Sequence, residues 1–508
     1  MTRRLALLLA AVAGAQVCAS GAAGGGLSVG RVRWGFDGRV VPGRLNLLSV
    51  EVTNTGRQFV RAHLRLVRGF QVGGRLGAPL ERPCYLSPGA TRWVQFVPYI
   101  HAMGQTWHLE GGSQLRVKLT EPKLGPPARV FLRDPEAPVA GVRLPVLPDP
   151  LFPVTVAATD GLHSVVLDHA PPWSSPARRR AFVDWLRRGG QLHLLHDYDG
   201  RYPVFTDELA ALNTPQRRFR VGAGRVIRHP RRRHQVTPAW LAERGFPLPE
   251  LKKNLQGELP DPTGSLLRAL SGASRPRHLW PLIYLAALAY IGFLGIYHFF
   301  YARKRGEWQR PMLVFGASVL GCSLLFGLIG KRGQGESAAV HSVAYARHLG
   351  GNRFDVTQWQ SAFVTRGDIY QITHPAPHNL YSTCQTEEPV RGVIRNGKEG
   401  AVQVDMPLFS SRAYLHRGVL QGHRLSFRLR EWRGDETLEA LTLEVGDGFP
   451  TDARAVYALY RDHFRPMRLQ GDELRLGSGG GKTEAFLRHR DLLLSDPWAE
   501  TTGDWDNP

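Results

Sequence analysis

The sequence predicts a multidomain chain that mixes all-β with α/β: an antiparallel β-sandwich, an α/β domain, a two-helix transmembrane hairpin and a second β-sandwich. Three observations predict it. Short alternating apolar runs, broken by turn signals, fill the first part of the chain and return near its end. Around Pro145 the texture shifts to apolar strands alternating with helical signals, the pattern of an α/β unit. Two uncharged apolar runs, 279–302 and 311–330, are each long enough for a helix to cross a hydrocarbon layer of roughly 30 Å.

The chain has 508 residues, too many for one ordinary core. Met1, Thr2, Arg3 and Arg4 precede the apolar LALLLAAVAGAQV, so residues 1–23 read as a secretory signal. A first sandwich is expected over 27–140. Its strands include Leu47 to Val52, His63 to Val67, Trp93 to Val97 and Leu115 to Leu119, with turns at Pro42-Gly43, Asn54-Thr55-Gly56, Gly73-Gly74 and Pro88-Gly89. The segments VPGRLNLLSVEVTNTG and LSPGATRWVQFVPY resemble immunoglobulin-like sandwiches of bacterial envelope proteins.

An α/β domain is expected over 145–243. Val154 to Ala158 and Ser164 to Asp168 read as buried strands. Ser175 offers an N-cap, Pro176 a first helical position, and Gly189-Gly190 a stop. Gln191 to His196 and Phe219 to Ile227 return as strands. Through VVLDHAP, AFVDWLRRGGQLHLL and VGAGRVIRH, residues 145–233 resemble the class I glutamine amidotransferase-like domain of flavodoxin type. That resemblance implies a catalytic cysteine on a strand-to-helix turn, activated by a histidine and a carboxylate. No cysteine occurs between Cys84 and Cys322, and Ser164 lacks the second glycine of such a turn, so the expected domain has lost that catalytic group.

A connector over 244–278 leads to the hairpin at 279–330, whose basic loop from Arg303 to Arg310 is of the kind retained in the cytoplasm. With an N-terminal signal, both soluble parts are then placed outside the cytoplasm of a bacterium, anchored in its inner membrane. No Asp or Glu lies within either run, so the hairpin reads as an anchor that makes no proton relay. A second sandwich is expected over 338–490, followed by an acidic tail at 491–508. This order resembles that of bacterial envelope membrane proteins whose α/β domain lacks catalytic residues.

Candidate chemistry is sparse. His193, His196 and Asp197 cluster at a predicted strand end, where active sites of open α/β sheets gather, and are the candidates for a displaced hydrolase or amidase site. With Asp199 they also make a weak metal set, but residues 193 and 196 point to opposite faces of a strand, and no metal site is assigned. Gly477-Ser478-Gly479-Gly480-Gly481-Lys482-Thr483 is one residue short of a phosphate-binding loop and reads as a glycine-rich hairpin or linker. No cofactor is expected. Cys84 and Cys384, the two thiols outside the signal and the hairpin, can form one bridge or remain buried thiols.

The formal net charge of +22 is mostly arginine and names no partner by itself. Its one concentration is Arg217, Arg218, Arg220, Arg231, Arg232 and Arg233, with Arg225 and Arg228 between them and no intervening acid. Envelope proteins, the membrane, and anionic lipid or glycan are the expected partners, and nucleic acid is excluded by the expected location. The expected function is a non-enzymatic, membrane-anchored binding protein.

Overall fold

The computed structural model describes residues 26–482 except 71–73, 102–104, 113–114, 135–140, 251–261, 274–279, 298–299, 301–308, 334–337, 384–388, 451 and 462. The expected signal at 1–23, the tail at 491–508 and the basic loop from Arg303 to Trp308 lie outside the described residues.

The first sheet pairs Leu27–Trp34, Leu48–Asn54 and Thr91–Phe96, all antiparallel. Facing it is a second sheet built on Leu115–Lys118, Gln105–Gly111, Val60–Phe70 and Arg75–Leu86. Alternation sets the core: Leu48, Val50 and Val52 point inward from one sheet, and Leu64, Leu66 and Leu109 from the other. Trp34 and Trp107 meet edge to face between them at 5.5 Å. Gly89, with φ +70°, makes the turn that the Pro88-Gly89 pair signals.

The second sheet does not stop there. Its outer strand Arg75–Leu86 pairs in parallel with Gly392–Arg395, and Ala401–Met406 and Asp368–Thr373 continue it to seven strands. The separate sandwich expected over 338–490 is therefore corrected: three of its strands belong to the sheet of the N-terminal part. Apolar Leu80 and Ile394 sit at the seam, and Glu81 there accepts from Arg65 and Arg395 at 2.9 and 3.0 Å. Cys84 lies buried in the same strand, and Cys384, the other cysteine of the possible bridge, lies outside the described residues.

Residues 128–228 form a six-stranded sheet in the order Val146–Pro148, Ala128–Arg133, Leu162–Leu167, Gln191–Leu194, Gly224–Arg228, Arg218–Val221. All neighbours but the last pair are parallel. Among the described residues only α1, Pro176–Arg187, covers this sheet as a long helix, burying Phe182, Trp185 and Leu186. The other crossovers are 3-10 turns at Asp149–Leu151, Val156–Thr159 and Asp207–Asn213. Proline explains the shortfall: Pro145, Pro148, Pro150, Pro153, Pro171 and Pro172 punctuate the segments where helices would have to form. The short α2, Pro238–Glu243, capped by Thr237 Oγ1 accepting from Trp240 N at 3.0 Å, closes the opposite face over Phe131, Val166 and Leu195. The expected layered α/β domain is thus corrected to a mostly β chain with a thinly covered parallel sheet.

Helix α3, Pro262–Ala273, packs Leu266, Leu267 and Leu270 against the long strands of the C-terminal part. Helices α4, Trp280–Tyr297, and α5, Gln309–Gly333, touch each other and carry exposed apolar side chains such as Leu285, Leu288, Leu313 and Leu320. The 18 residues of α4 reach about 27 Å, short of the roughly 30 Å hydrocarbon layer. Glycines Gly316, Gly321 and Gly327 dilute the apolar run of α5. Among the described residues no helix is long and apolar enough to cross a membrane. That finding corrects the transmembrane hairpin expected over 279–330, and with it the membrane as a partner through two spanning helices and the inner-membrane location.

In the C-terminal part, Ala339–Gly350, Arg353–Val364, Ser410–Gln421 and Leu380–Ser382 form a four-stranded antiparallel sheet. A further antiparallel sheet spans 427–482. The glycine-rich segment 477–480 turns there, with Gly479 and Gly480 at positive φ, into a two-residue strand, Gly481–Lys482, paired with His463 and Phe464. Four buried charges lock the C-terminal part to the parallel sheet. Arg188 donates to Asp160 at 2.7 Å and to Asp355 at 3.3 Å, and Arg417 to Asp160 at 2.8 Å and Asp355 at 3.0 Å. Arg353 completes the joint with two bonds to Asp184, at 2.9 and 2.6 Å.

Candidate functional site: strand ends and an arginine face

Parallel strands deliver their C-terminal ends to one edge of the sheet, the edge where open sheets of this kind place ligands. Here Leu162–Leu167 runs straight into Asp168 and His169. His169 Nε2 meets Asp149 Oδ2 at 2.7 Å, and its Nδ1 meets Asp168 Oδ1 at 3.1 Å. Asp168 Oδ2 in turn accepts from Arg233 Nε at 2.6 Å. Asp149 is held by the 3-10 turn after Val146–Pro148, and Trp173 Nε1 donates to its backbone carbonyl at 2.8 Å. The guanidinium of Arg233 lies over the rings of Tyr198, at 4.7 Å, and Phe131, at 5.5 Å.

Burial opposes charge on His169, but the hydrogen bonds and fields of Asp149 and Asp168 outweigh it and push the imidazole up to about 9. At neutral pH it is an imidazolium donating at both nitrogens. Two cations and two carboxylates thus cancel one another, and an imidazolium so clamped is no general base. Ser164, the only hydroxyl in the strand itself, is buried and accepts from Arg129 Nε at 2.8 Å. The cluster fixes the strand ends and leaves one buried oxygen, Asp149 Oδ1, without a partner among the described residues.

The three residues singled out in the sequence are not brought together. His193 is fully buried on the face closed by α2. Its Nδ1 lies 3.0 Å from His229 Nε2, the two rings stack at 5.2 Å, and Phe246 meets it edge-on at 5.1 Å. Burial, then the neighbouring His229 and Arg129, holds His193 well below its ordinary range. His229 falls to about 4, by burial and then by Arg217, Arg218 and Arg244. His196 packs on the Tyr202 ring at 4.4 Å. Asp197 Oδ1 accepts from the backbone N–H groups of Asp199 and Arg201 at 2.9 and 2.8 Å, and so shapes a turn. Among the described residues no group of three or more His, Cys, Asp or Glu side chains is placed to hold a metal.

The basic concentration, in contrast, becomes a surface. Arg218–Val221 and Gly224–Arg228 form the antiparallel edge hairpin, and Arg217, Arg218, Arg220, Arg225, Arg231 and Arg232 are all exposed on and beside it. None of these six makes an ion pair among the described residues. Arg220 stands directly opposite Arg225 across the hairpin, a like-charge pairing that destabilises a bare sheet. Arg231 lies over the Trp240 ring at 5.7 Å and Arg244 at 4.2 Å, while Arg228 covers Tyr202 at 5.1 Å. A shallow pocket of about 250 Å³ opens between Arg218, Phe219, Arg220, Arg225 and Phe246. Arg233 departs from the expected stripe, since it is buried in the strand-end cluster.

Sequence reasoning missed His169, Asp149 and the turn of Arg233 inward. The adjacent Asp168-His169 pair at the end of a buried strand was the available signal. Nothing local marked Asp149, whose contact with His169 spans 20 residues.

No family model matches the chain, and neither does any curated protein. Among solved structures, one similar chain is the Pseudomonas fluorescens alkylpurine DNA glycosylase AlkC bound to DNA, at 13% identity and a TM-score of 0.14, covering 18% of this chain and 30% of that one. Another is the β-glucosidase D2-BGL from Chaetomella raphigera, at 11% identity and 0.15, covering 19% and 18%. A cycloisomaltooligosaccharide glucanotransferase from Paenibacillus sp. aligns more widely, over 78% and 72%, but at 9% identity and a TM-score of 0.19. Likenesses of this size assign neither fold nor activity.

Proposed function

We propose that this chain is a non-catalytic binding protein whose arginine face holds a linear acidic glycan. The observation that carries the reading is the set of exposed arginines, Arg217, Arg218, Arg220, Arg225, Arg231 and Arg232, gathered at one sheet edge without acidic partners. Polyanions are drawn to such a surface through a field that salt screens over about 10 Å at 0.1 M. Trp240, under Arg231 and Arg244, holds guanidinium groups in place beside this face. The amidotransferase-like resemblance of 145–233 enters this reading as a scaffold whose strand ends carry structure in place of catalysis. A displaced hydrolase site loses its support, because His193 is buried against His229 while His196 packs on Tyr202 and Asp197 shapes a turn.

The test is titration of the full chain with polygalacturonate, neutral dextran, duplex DNA and vesicles of anionic lipid, at 50 and 300 mM salt. Saturable, salt-sensitive binding of polygalacturonate is expected, weakened at least tenfold in the Arg218→Glu, Arg220→Glu, Arg231→Glu, Arg232→Glu variant. Preference for DNA or vesicles, or an affinity indifferent to the four reversals, would overturn the assignment.

A further inference from the structure

A second basic feature lies at the tip of the arginine hairpin and has a different architecture. A cleft of about 680 Å³ opens between the end of α1 and the turn at Gly222-Ala223 on one side, and the tip of the C-terminal hairpin from His348 to Arg353 on the other. That size falls within the range of small-molecule sites. Among its lining residues are Arg187, His348 and Arg353, and no acid.

The three arginines at this corner differ in one respect. Arg188 is consumed by Asp160 and Asp355, and Arg353 by Asp184. Arg187 is half-buried, and its guanidinium makes no hydrogen bond or ion pair among the described residues. Its guanidinium lies flat against the Gly350 backbone: a Cβ added to Gly350 would sit 3.6 Å from Nη1, 3.7 Å from Cζ and 3.8 Å from Nε. Its backbone is clamped as well, since Ala223 N donates to Arg187 O at 3.0 Å and Gly222, at φ +62°, brings its own backbone against the Arg187 Cα. The nearby Asp184 carboxylate acts on Arg187 through its field while both its oxygens are bonded to Arg353, so the Arg187 fork stays unbonded, and its planar shape matches the two oxygens of a carboxylate or phosphate group.

We propose that this cleft binds a small oxyanion, a carboxylate or a phosphate monoester, with Arg187 as its anchor. His348 Nε2–H donates to Gly351 O at 3.0 Å, which leaves Nδ1 as an acceptor for a hydroxyl on the same ligand. The two walls come from parts of the chain about 125 to 165 residues apart, so an occupied cleft ties them together and raises resistance to unfolding. This site stands independently of the glycan reading, because the arginines of that face do not line it.

The experiment is calorimetric titration of the full chain with glucose 6-phosphate, glucuronate and uncharged glucose, with melting followed in parallel. Saturable binding of one of the two anions, with a higher melting temperature, is expected. Arg187→Gln should weaken it at least tenfold, and Arg187→Lys, which keeps charge and helix propensity but loses the fork, about threefold or more. Equal binding of glucose, absence of saturable binding by either anion, or unchanged affinity in a folded Arg187→Lys protein together with Arg187→Gln would overturn the proposal.

Discussion

At the scale of single residues, the chain sets its histidines to opposite charge states by neighbourhood. His169, between two carboxylates, is held charged up to about 9, whereas His229 and His416 fall to about 4 and about 3. His416 is lowered by burial, by His374 stacked on it at 3.7 Å, and by Arg417. Because the folded-state value of His169 lies above the ordinary 6.5, its contribution to stability is complete below about 6.5 and is lost as pH rises through about 9. Chemical denaturation at pH 6.0 and pH 9.5 should therefore show the wild type losing roughly 3 kcal/mol more than His169→Gln across that interval. Equal losses would show that the imidazolium does not carry the strand-end cluster. VVLDHAP displayed the histidine and one of its carboxylates on its face. It could not display the second, since the fold and not the local chain brings Asp149 to the ring.

Among the elements, α1 was the most legible. Pro176 begins it, apolar Phe182, Val183 and Leu186 line its buried side, and Gly189, at φ +119°, ends it. Gly190 has a packing duty instead: an added Cβ would come within 2.4 Å of Trp185 Cε2, inside a ring that is 1% exposed. Gly190→Ala should accordingly cost about 1–3 kcal/mol, read as a lowered denaturation midpoint with an unchanged slope. A neutral substitution would mean that the Trp185 ring can shift. The 3-10 turn at Val156–Thr159 was illegible for a converse reason. Val156, Ala157 and Ala158 are as buried as the residues of a core strand, so the apolar run from Val154 to Ala158 read as one. The hairpin over 279–330 was read from apolar length, a measure blind to where a helix stops.

For the whole molecule, alternation revealed which segments are strands but not which strands are neighbours. The pairing of Leu80 with Ile394 joins segments that no local pattern relates. The same holds for the four buried charges between the parallel sheet and the C-terminal strands. Arg417, buried and held charged against that burial by Asp160 and Asp355, shares them with Arg188. Arg417→Met should cost about 3–5 kcal/mol, because it strands a buried carboxylate. Adding Asp355→Leu, which leaves Arg188 with Asp160, should recover part of that loss; a double variant worse than the single by the full cost of a second site would show that the four do not act as one unit. The parallel seam also has a consequence in time. Strand Arg75–Leu86 leaves the ribosome some 310 residues ahead of the strand that covers its edge, as the Arg82 to Asn396 separation of 314 indicates. At synthesis rates of about 5–20 residues per second, that edge waits roughly 15 to 60 s for its neighbour. The nascent chain therefore passes through a prolonged stage with an open sheet margin, and its yield in a cell is set by how well that margin is shielded until the last third has been made.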